Sequence, residues 1–331
     1  MSHRPWIRLT ALLGIAALPA LAGWARQGAR PPAELYWPEW RGPLGTGASP
    51  TADPPTTWSE IRSVAWKVKL PGSGTSSPIV WGDRIFVQTA VPVAGPGIPQ
   101  APEAEPGQAA PPGRRGGRGG AAPAQPHAFT LLCIDRSTGR TLWQRVARQE
   151  VPHEGHHPDH GFSSHSPVTD GQQVYAYFGS RGLHCFGMDG SRRWSKDLGR
   201  MRTKMAFGEG SSPTLHDGIL VVNWDHEGED FIVALDARTG QERWRQARDE
   251  DTSWATPLVV RHGGRAQVVT SATRRIRSYD LASGRLLWEC AGMTANTIPT
   301  PVADAGTVYA TSGFRGSALL AIRLGREGSL T

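Results

Sequence analysis

Residues 234–244 read Ala234-Leu235-Asp236-Ala237-Arg238-Thr239-Gly240-Gln241-Glu242-Arg243-Trp244. Asp, then Gly four positions on, then Trp four beyond that, spell an alternating strand, a tight turn and a returning strand. Gly supplies the left-handed turn conformation, Asp accepts hydrogen bonds from the turn backbone, and the Trp packs against a neighbouring unit. The same plan recurs along the chain. Cys133 leads through Asp135 and Gly139 to Trp143, and Ser278 leads through Asp280 and Gly284 to Trp288. A copy one residue shorter runs from Cys185 through Asp189-Gly190 to Trp194, with Gly187 where the others carry Asp.

Ahead of each hairpin lies a second recurring phrase. Ser77-Pro78, Ser166-Pro167, Ser212-Pro213, Thr256-Pro257 and Thr300-Pro301 each precede two short apolar runs. Each unit is therefore four short antiparallel strands, the content of one propeller blade. The Trp-to-Trp spacings of 51, 50 and 44 from Trp143 to Trp288 match a propeller period of roughly 40 to 50 residues. Trp66 to Trp143 is 77 and breaks the period. Residues 91–126, rich in Pro, Gly, Ala and Gln, explain the excess as an insertion between the second and third strands of one blade. Such a composition buries too little apolar surface to fold alone, and predicts disorder.

Composition agrees with many short strands. Forty Gly and twenty-seven Pro in 331 residues oppose long helices, and 38% hydrophobic content opposes wholesale disorder. The net charge of +7 invites a nucleic-acid reading, yet Arg4, Arg8, Arg26 and Arg30 and the 91–126 tract account for five of the seven charges. No nucleic-acid partner is expected. Arg4 and Arg8 precede the apolar stretch Leu9 to Leu21, and Ala20-Leu21-Ala22 supplies a small-x-small cleavage pattern. The chain thus divides into a signal peptide over 1–25, a lead-in over 26–63 and blades over 64–331. Export to the periplasm or beyond is expected, with no transmembrane helix in the mature chain. Cys133, Cys185 and Cys290 form no CxxC pattern. Cys133 and Cys185 stand where other copies carry Ala234 and Ser278, so both read as small core residues, with the disulfide state left open.

These motifs resemble the quinoprotein-type, PQQ-binding-like β-propeller repeat of exported bacterial proteins, over residues 64 to about 324. The resemblance implies an all-β propeller of four-stranded blades, usually seven or eight of them. Five fourth strands, marked by Trp66, Trp143, Trp194, Trp244 and Trp288, and five sets of first strands are present. Two expectations follow: a truncated seven- or eight-bladed propeller, or a five-bladed ring in which Val64 to Val68 pairs with the last set. The resemblance also implies two functions. One is a non-catalytic scaffold or binding module with a protein or peptide partner in the envelope, which is the reading adopted. The alternative is a dehydrogenase that holds pyrroloquinoline quinone (PQQ) with calcium at the propeller axis, often with a disulfide between adjacent cysteines, which this chain lacks. No catalytic residue is assigned.

Two side-chain clusters stand apart from the repeat. His153, His156, His157, His160 and His165 pack five imidazoles into thirteen residues, a candidate metal site in a Gly- and Pro-containing loop. Asp225 to Asp230 carries four carboxylates, read as a solvated acidic hairpin with calcium binding as the alternative. Arg248 to Asp251 is expected to form interblade ion pairs of modest value.

Overall fold

A computed structural model describes residues 35–49, 52–94 and 119–330. The expected signal peptide over 1–25, the first part of the lead-in and the middle of the 91–126 tract lie outside the described residues. The first sheet contains β1 (Ile79–Trp81), β2 (Arg84–Pro92), β3 (His127–Asp135) and β4 (Thr141–Glu150). The second contains β5 (Val168–Thr169), β6 (Gln173–Tyr177), β7 (Leu183–Gly187) and β8 (Arg192–Lys196). The third contains β9 (Thr214–His216), β10 (Ile219–Trp224), β11 (Phe231–Asp236) and β12 (Glu242–Ala247). The fourth contains β13 (Leu258–His262), β14 (Arg265–Ser271), β15 (Arg275–Asp280) and β16 (Leu286–Ala291), joined by β20 (Gly328–Ser329). The fifth has β17 (Val302–Asp304), β18 (Thr307–Ser312) and β19 (Ala318–Arg323). Within each four-stranded set the neighbours run antiparallel, and β1, β5, β9 and β13 lie side by side. This is the blade arrangement of a β-propeller, with the first strands innermost.

The repeat builds each interface between blades. In every complete blade the Trp sits opposite the small residue of the third strand: Cys133 with Trp143, Cys185 with Trp194, Ala234 with Trp244 and Ser278 with Trp288. The ladder slips by one residue directly after each of these pairs. A bulge there turns the strand and re-aims the indole toward the next blade. Trp143 Nε1 donates to Met188 O at 3.1 Å, Trp194 to Ala237 O at 3.0 Å and Trp244 to Leu281 O at 2.8 Å. The rings lie flat on the turn glycines, so a Cβ at Gly190, Gly240 or Gly284 would stand 2.9, 2.7 or 2.6 Å from an indole carbon. These glycines are required twice, for φ near +70 to +80° and for the absent side chain. The turn Asp carboxylates act as anticipated. Asp135 Oδ1 accepts from the Ser137 and Thr138 backbone N–H groups, and those bonds with both hydroxyls hold its carboxyl down at about 2.

The Ser/Thr-Pro phrase has a purpose that only adjacent blades reveal. Ser77 N–H donates to Ser166 Oγ at 3.0 Å, Ser166 N–H to Ser212 Oγ at 2.9 Å, Ser212 N–H to Thr256 Oγ1 at 3.1 Å, and Thr256 N–H to Thr300 Oγ1 at 3.2 Å. Each hydroxyl thus satisfies a backbone donor of the preceding blade beside the axis, where water cannot do so freely.

Several expectations need correction. Residues 64–70 form no ladder, so no five-bladed closure through Val64 to Val68 occurs among the described residues. Trp66 nonetheless docks as a fourth-strand Trp would, with Nε1 donating to Arg136 O at 2.9 Å and its ring against Gly139. Trp288 docks on no following turn, and its Nε1 donates to Gln267 Oε1 of its own sheet at 3.0 Å. The reason lies in β19 and beyond: by register Arg323 and Glu327 stand where Asp236 and Gly240 stand in the third blade. Without the Asp acceptor and the Gly, no hairpin forms, and the chain instead runs beside β16 as β20. Glu327, paired with Arg265 and Arg285, holds it there. Strand β2 extends through Pro92, and residues 119–126 are ordered, so the insertion is shorter than 91–126. All three cysteines are buried free thiols, and burial pushes Cys133 up to about 11 and Cys185 up to about 12.

Candidate functional site

The lead-in organises the axis. Trp37 exchanges backbone hydrogen bonds with Val80, Thr169 N–H donates to Pro38 O at 2.9 Å, and Leu215 N–H reaches Glu39 Oε2 at 3.5 Å. Gly45 packs toward Leu258, Trp40 Nε1 donates to Thr300 Oγ1 at 3.4 Å, and Arg41 Nη1 reaches Thr300 O at 3.5 Å. The nine residues from Trp37 to Gly45 therefore touch all five blades. Above them opens a cleft of ≈ 860 Å³. Trp40, Phe207 and Trp254 supply aromatic wall, and Met205, Ile298 and Phe314 form an apolar rim. Thr75, Ser164, Ser212, Thr256 and Thr300, one from the start of each blade, bring hydroxyls to it. The aromatic wall is fixed from behind: Trp254 Nε1 donates to Gly208 O at 2.7 Å and its backbone N–H to Thr297 O at 3.0 Å. The sequence offered no periodic signal for Phe207 or Trp254, because both sit on irregular connections between blades.

The five histidines share a neighbourhood without converging. His153 Nε2 donates to Met201 O at 2.6 Å, His156 Nδ1 to His157 O at 2.8 Å, and His157 Nδ1 accepts from Asp159 N–H at 3.2 Å. His160 Nδ1 lies 2.9 Å from Ser164 Oγ, and His165 is wholly buried edge-on to Tyr177. Desolvation pushes His165 down to about 3, so its ring is neutral. Among the described residues no three His, Cys, Asp or Glu side chains are arranged to hold a metal ion. Only His157 and His160 reach the cleft wall.

The acidic stretch is not the solvated hairpin expected: Asp225 and Asp230 are buried and engaged by protein partners. Asp225 is buried and gripped in bidentate fashion by Arg248, with Nε to Oδ1 at 2.6 Å and Nη2 to Oδ2 at 3.0 Å. Arg248 Nη1 further donates to Thr270 Oγ1 and Tyr279 OH in the next blade. Asp230 accepts from Glu250 N–H at 2.7 Å, and Glu227 accepts from Thr252. A second buried pair, Arg181 with Glu209 at 2.9 Å, occupies the corresponding place between earlier blades. The Arg248 to Asp251 stretch does form the expected ion pairs, but with the Arg248 and Glu250 side chains wholly enclosed rather than on the surface.

Two carboxyls carry a pH signature. Burial lifts Glu39 up to about 8, opposed by the Leu215 N–H, and lifts Asp230 up to about 7, opposed by the Glu250 N–H. Both hold a proton in the fold at a pH where the unfolded chain has released it. Stability from these groups is complete below about pH 4 and declines as pH rises toward 8. Thermal melts are therefore expected to lose several degrees between pH 5 and pH 8, with a shallower loss in Glu39→Gln and Asp230→Asn. An unchanged slope in both variants would contradict the assignment.

The family model described as outer membrane protein assembly factor BamB matches residues 59–207 and again residues 187–330. The chain belongs to that family. A comparison with curated proteins finds no match. Among solved structures, this BamB-family chain is similar to quinohemoprotein alcohol dehydrogenase from Comamonas testosteroni at 12% identity and TM-score 0.52, over 90% of this chain and 48% of that one. It also resembles BamB from Moraxella catarrhalis at 16% identity and TM-score 0.40, over 61% of this chain and 56% of that one. A europium-containing methanol dehydrogenase matches at 10% identity and TM-score 0.45, over 80% of this chain and 51% of that one. The BamB-family chain spans about half the length of these structures, and the likenesses concern the fold alone. Among the described residues no helix is long and apolar enough to cross a membrane.

Proposed function

We propose that this BamB-family propeller is an exported, non-catalytic binding module that receives an envelope polypeptide at its axial cleft. The carrying observation is the cleft itself: an aromatic, hydroxyl-ringed opening at the meeting point of all five blades, floored by a lead-in that touches each of them. Largely apolar concavities with a few convergent polar groups are the usual places for recognition. The family description, an outer membrane protein assembly factor, supports this reading.

The alternative, PQQ held by calcium at the same axis, makes a demand on donor chemistry. Calcium takes several oxygen ligands, carboxylates foremost. The cleft wall offers the carboxylate Asp159 and the amide Asn296. Of the buried acids, Glu209 and Asp225 are already engaged by Arg181 and Arg248, and Glu39 of the floor is held by burial with its carboxyl raised to about 8, accepting from the Leu215 N–H. This donor set does not fit a calcium-held quinone.

A photo-crosslinking side chain at Phe314, activated in cells that export the protein, tests the reading. A discrete polypeptide adduct is expected there and none from the same group at Leu142, which is exposed on β4. No adduct from Phe314, with dye reduction appearing on addition of PQQ and calcium, would overturn it in favour of the alternative.

A further inference from the structure

Resting on the binding-module reading, we infer that the cleft takes an extended polypeptide segment that carries aromatic side chains and carboxylates. Four independent features point to this occupant. The opening is not enclosed: Met205 and Phe314 on its rim are each 49% exposed, and Ile298 is 63% exposed. Sites for small molecules cover some 70–90% of their ligand. An open groove with an apolar rim instead suits a chain that crosses it and continues outward on both sides.

The wall is aromatic where a side chain would enter. The Phe207 and Trp254 rings lie 6.5 Å apart and tilted at 46°, with Trp40 behind them on the floor. Rings in this disposition receive another aromatic ring edge-on or offset, which contributes beyond area burial alone. A backbone hydrogen bond has a taker too, since Asn296 Oδ1 is buried without a partner, whereas the Thr75 and Ser164 hydroxyls are bonded to each other at 2.8 Å.

Charge then selects among peptides. Lys204 and Arg315 stand on the cleft wall, whereas the carboxylate Asp159 is 92% exposed and lies 3.7 Å from His157. Lys204 Nζ has Asp251 no closer than 3.9 Å, and Arg315 rests over the Phe314 ring with no carboxylate beside it among the described ion pairs. Carboxylates on the incoming chain would meet two cations with little competition. Complementarity of this kind sets specificity and encounter rate more than total affinity.

Backbone strain marks the same rim. Of the eight non-glycine residues with left-handed φ among the described residues, Met205, Ala206, Asn296 and Arg315 belong to the loops around the cleft. Backbone strain of this kind gathers at ligand clamps. Here it holds Met205 and Arg315 out over the opening instead of letting them fold away.

The experiment measures fluorescence anisotropy of short labelled peptides that alternate Phe and Glu, against versions with Lys for Glu and with Ala for Phe. The Phe/Glu peptide is expected to bind about tenfold or more tightly than either control. In the Lys204→Glu/Arg315→Glu variant the preference should invert, with the Phe/Lys peptide now favoured, and a thermal melt confirms that the variant is folded. Inversion is the readout that mere damage to the cleft cannot mimic. Equal binding of the Phe/Glu and Phe/Lys peptides, or binding of neither, overturns the inference. The binding-module reading fails separately, on the absence of a crosslinked polypeptide at Phe314.

Discussion

Arg248→Met is expected to destabilise the protein by about 3–5 kcal/mol, the range for removing one partner of a buried ion pair. Arg248 and Asp225 both have side chains with no solvent exposure. Asp225 would retain Asn223 Nδ2 at 2.9 Å and Ser253 Oγ at 2.6 Å, neither of which neutralises a carboxylate. Thr270 and Tyr279 would lose their shared donor as well. The double variant Asp225→Leu/Arg248→Met should recover most of the loss, because two well-packed apolar side chains carry no desolvation cost. Urea unfolding of the wild type, both single variants and the double variant gives the coupling energy directly. Additive losses would show that the pair is not the unit that holds the third and fourth blades together.

Gly240→Ala carries the second large effect. Its φ of +72° costs an L-residue roughly 1–2 kcal/mol. The new methyl would also stand 2.7 Å from the Trp194 ring and push the indole away from Ala237 O, at about a further 1 kcal/mol for that hydrogen bond. Gly218 provides the control, since its φ is also +72° but nothing lies within 4 Å of its Cβ position. Gly218→Ala should therefore lose the backbone contribution alone. The difference in melting temperature between the two variants isolates indole docking, and equal losses would remove docking from the account of the interface.

The repeat is legible in the sequence because its chemistry is local. Asp236, Gly240 and Trp244 belong to one hairpin, and their spacing survives whatever surrounds them. Asp225 and Arg248 are a different case. They lie on separate connections 23 positions apart, and a run of acids looks the same whether it faces water or a neighbouring blade. Depth, not composition, decides which, and depth exists only once the blades are side by side. The arrangement of the histidine stretch is hidden for a related reason: in an irregular loop, nearness along the chain does not aim five rings at one point. Trp40 and Trp254 illustrate the middle ground. Their residue type was visible, but Trp254 had no assigned role, and neither was placed on the cleft until the lead-in was seen to cross the axis beneath it. Trp81 and Trp224, also unassigned by spacing, prove to be packing residues, Trp81 against Gly171 and Trp224 stacked on Phe231 at 5.5 Å.

Stacked repeats that touch only their neighbours tend to melt piecemeal, with stability summed along the array. Indole docking and the hydroxyl relay both have that nearest-neighbour character here. The segment from Trp37 to Gly45 does not, because it is bonded or packed to the first blade, the fifth and every one between. Such a tether should couple the blades, and a single calorimetric transition shifted by a lesion in any one blade is the expected result.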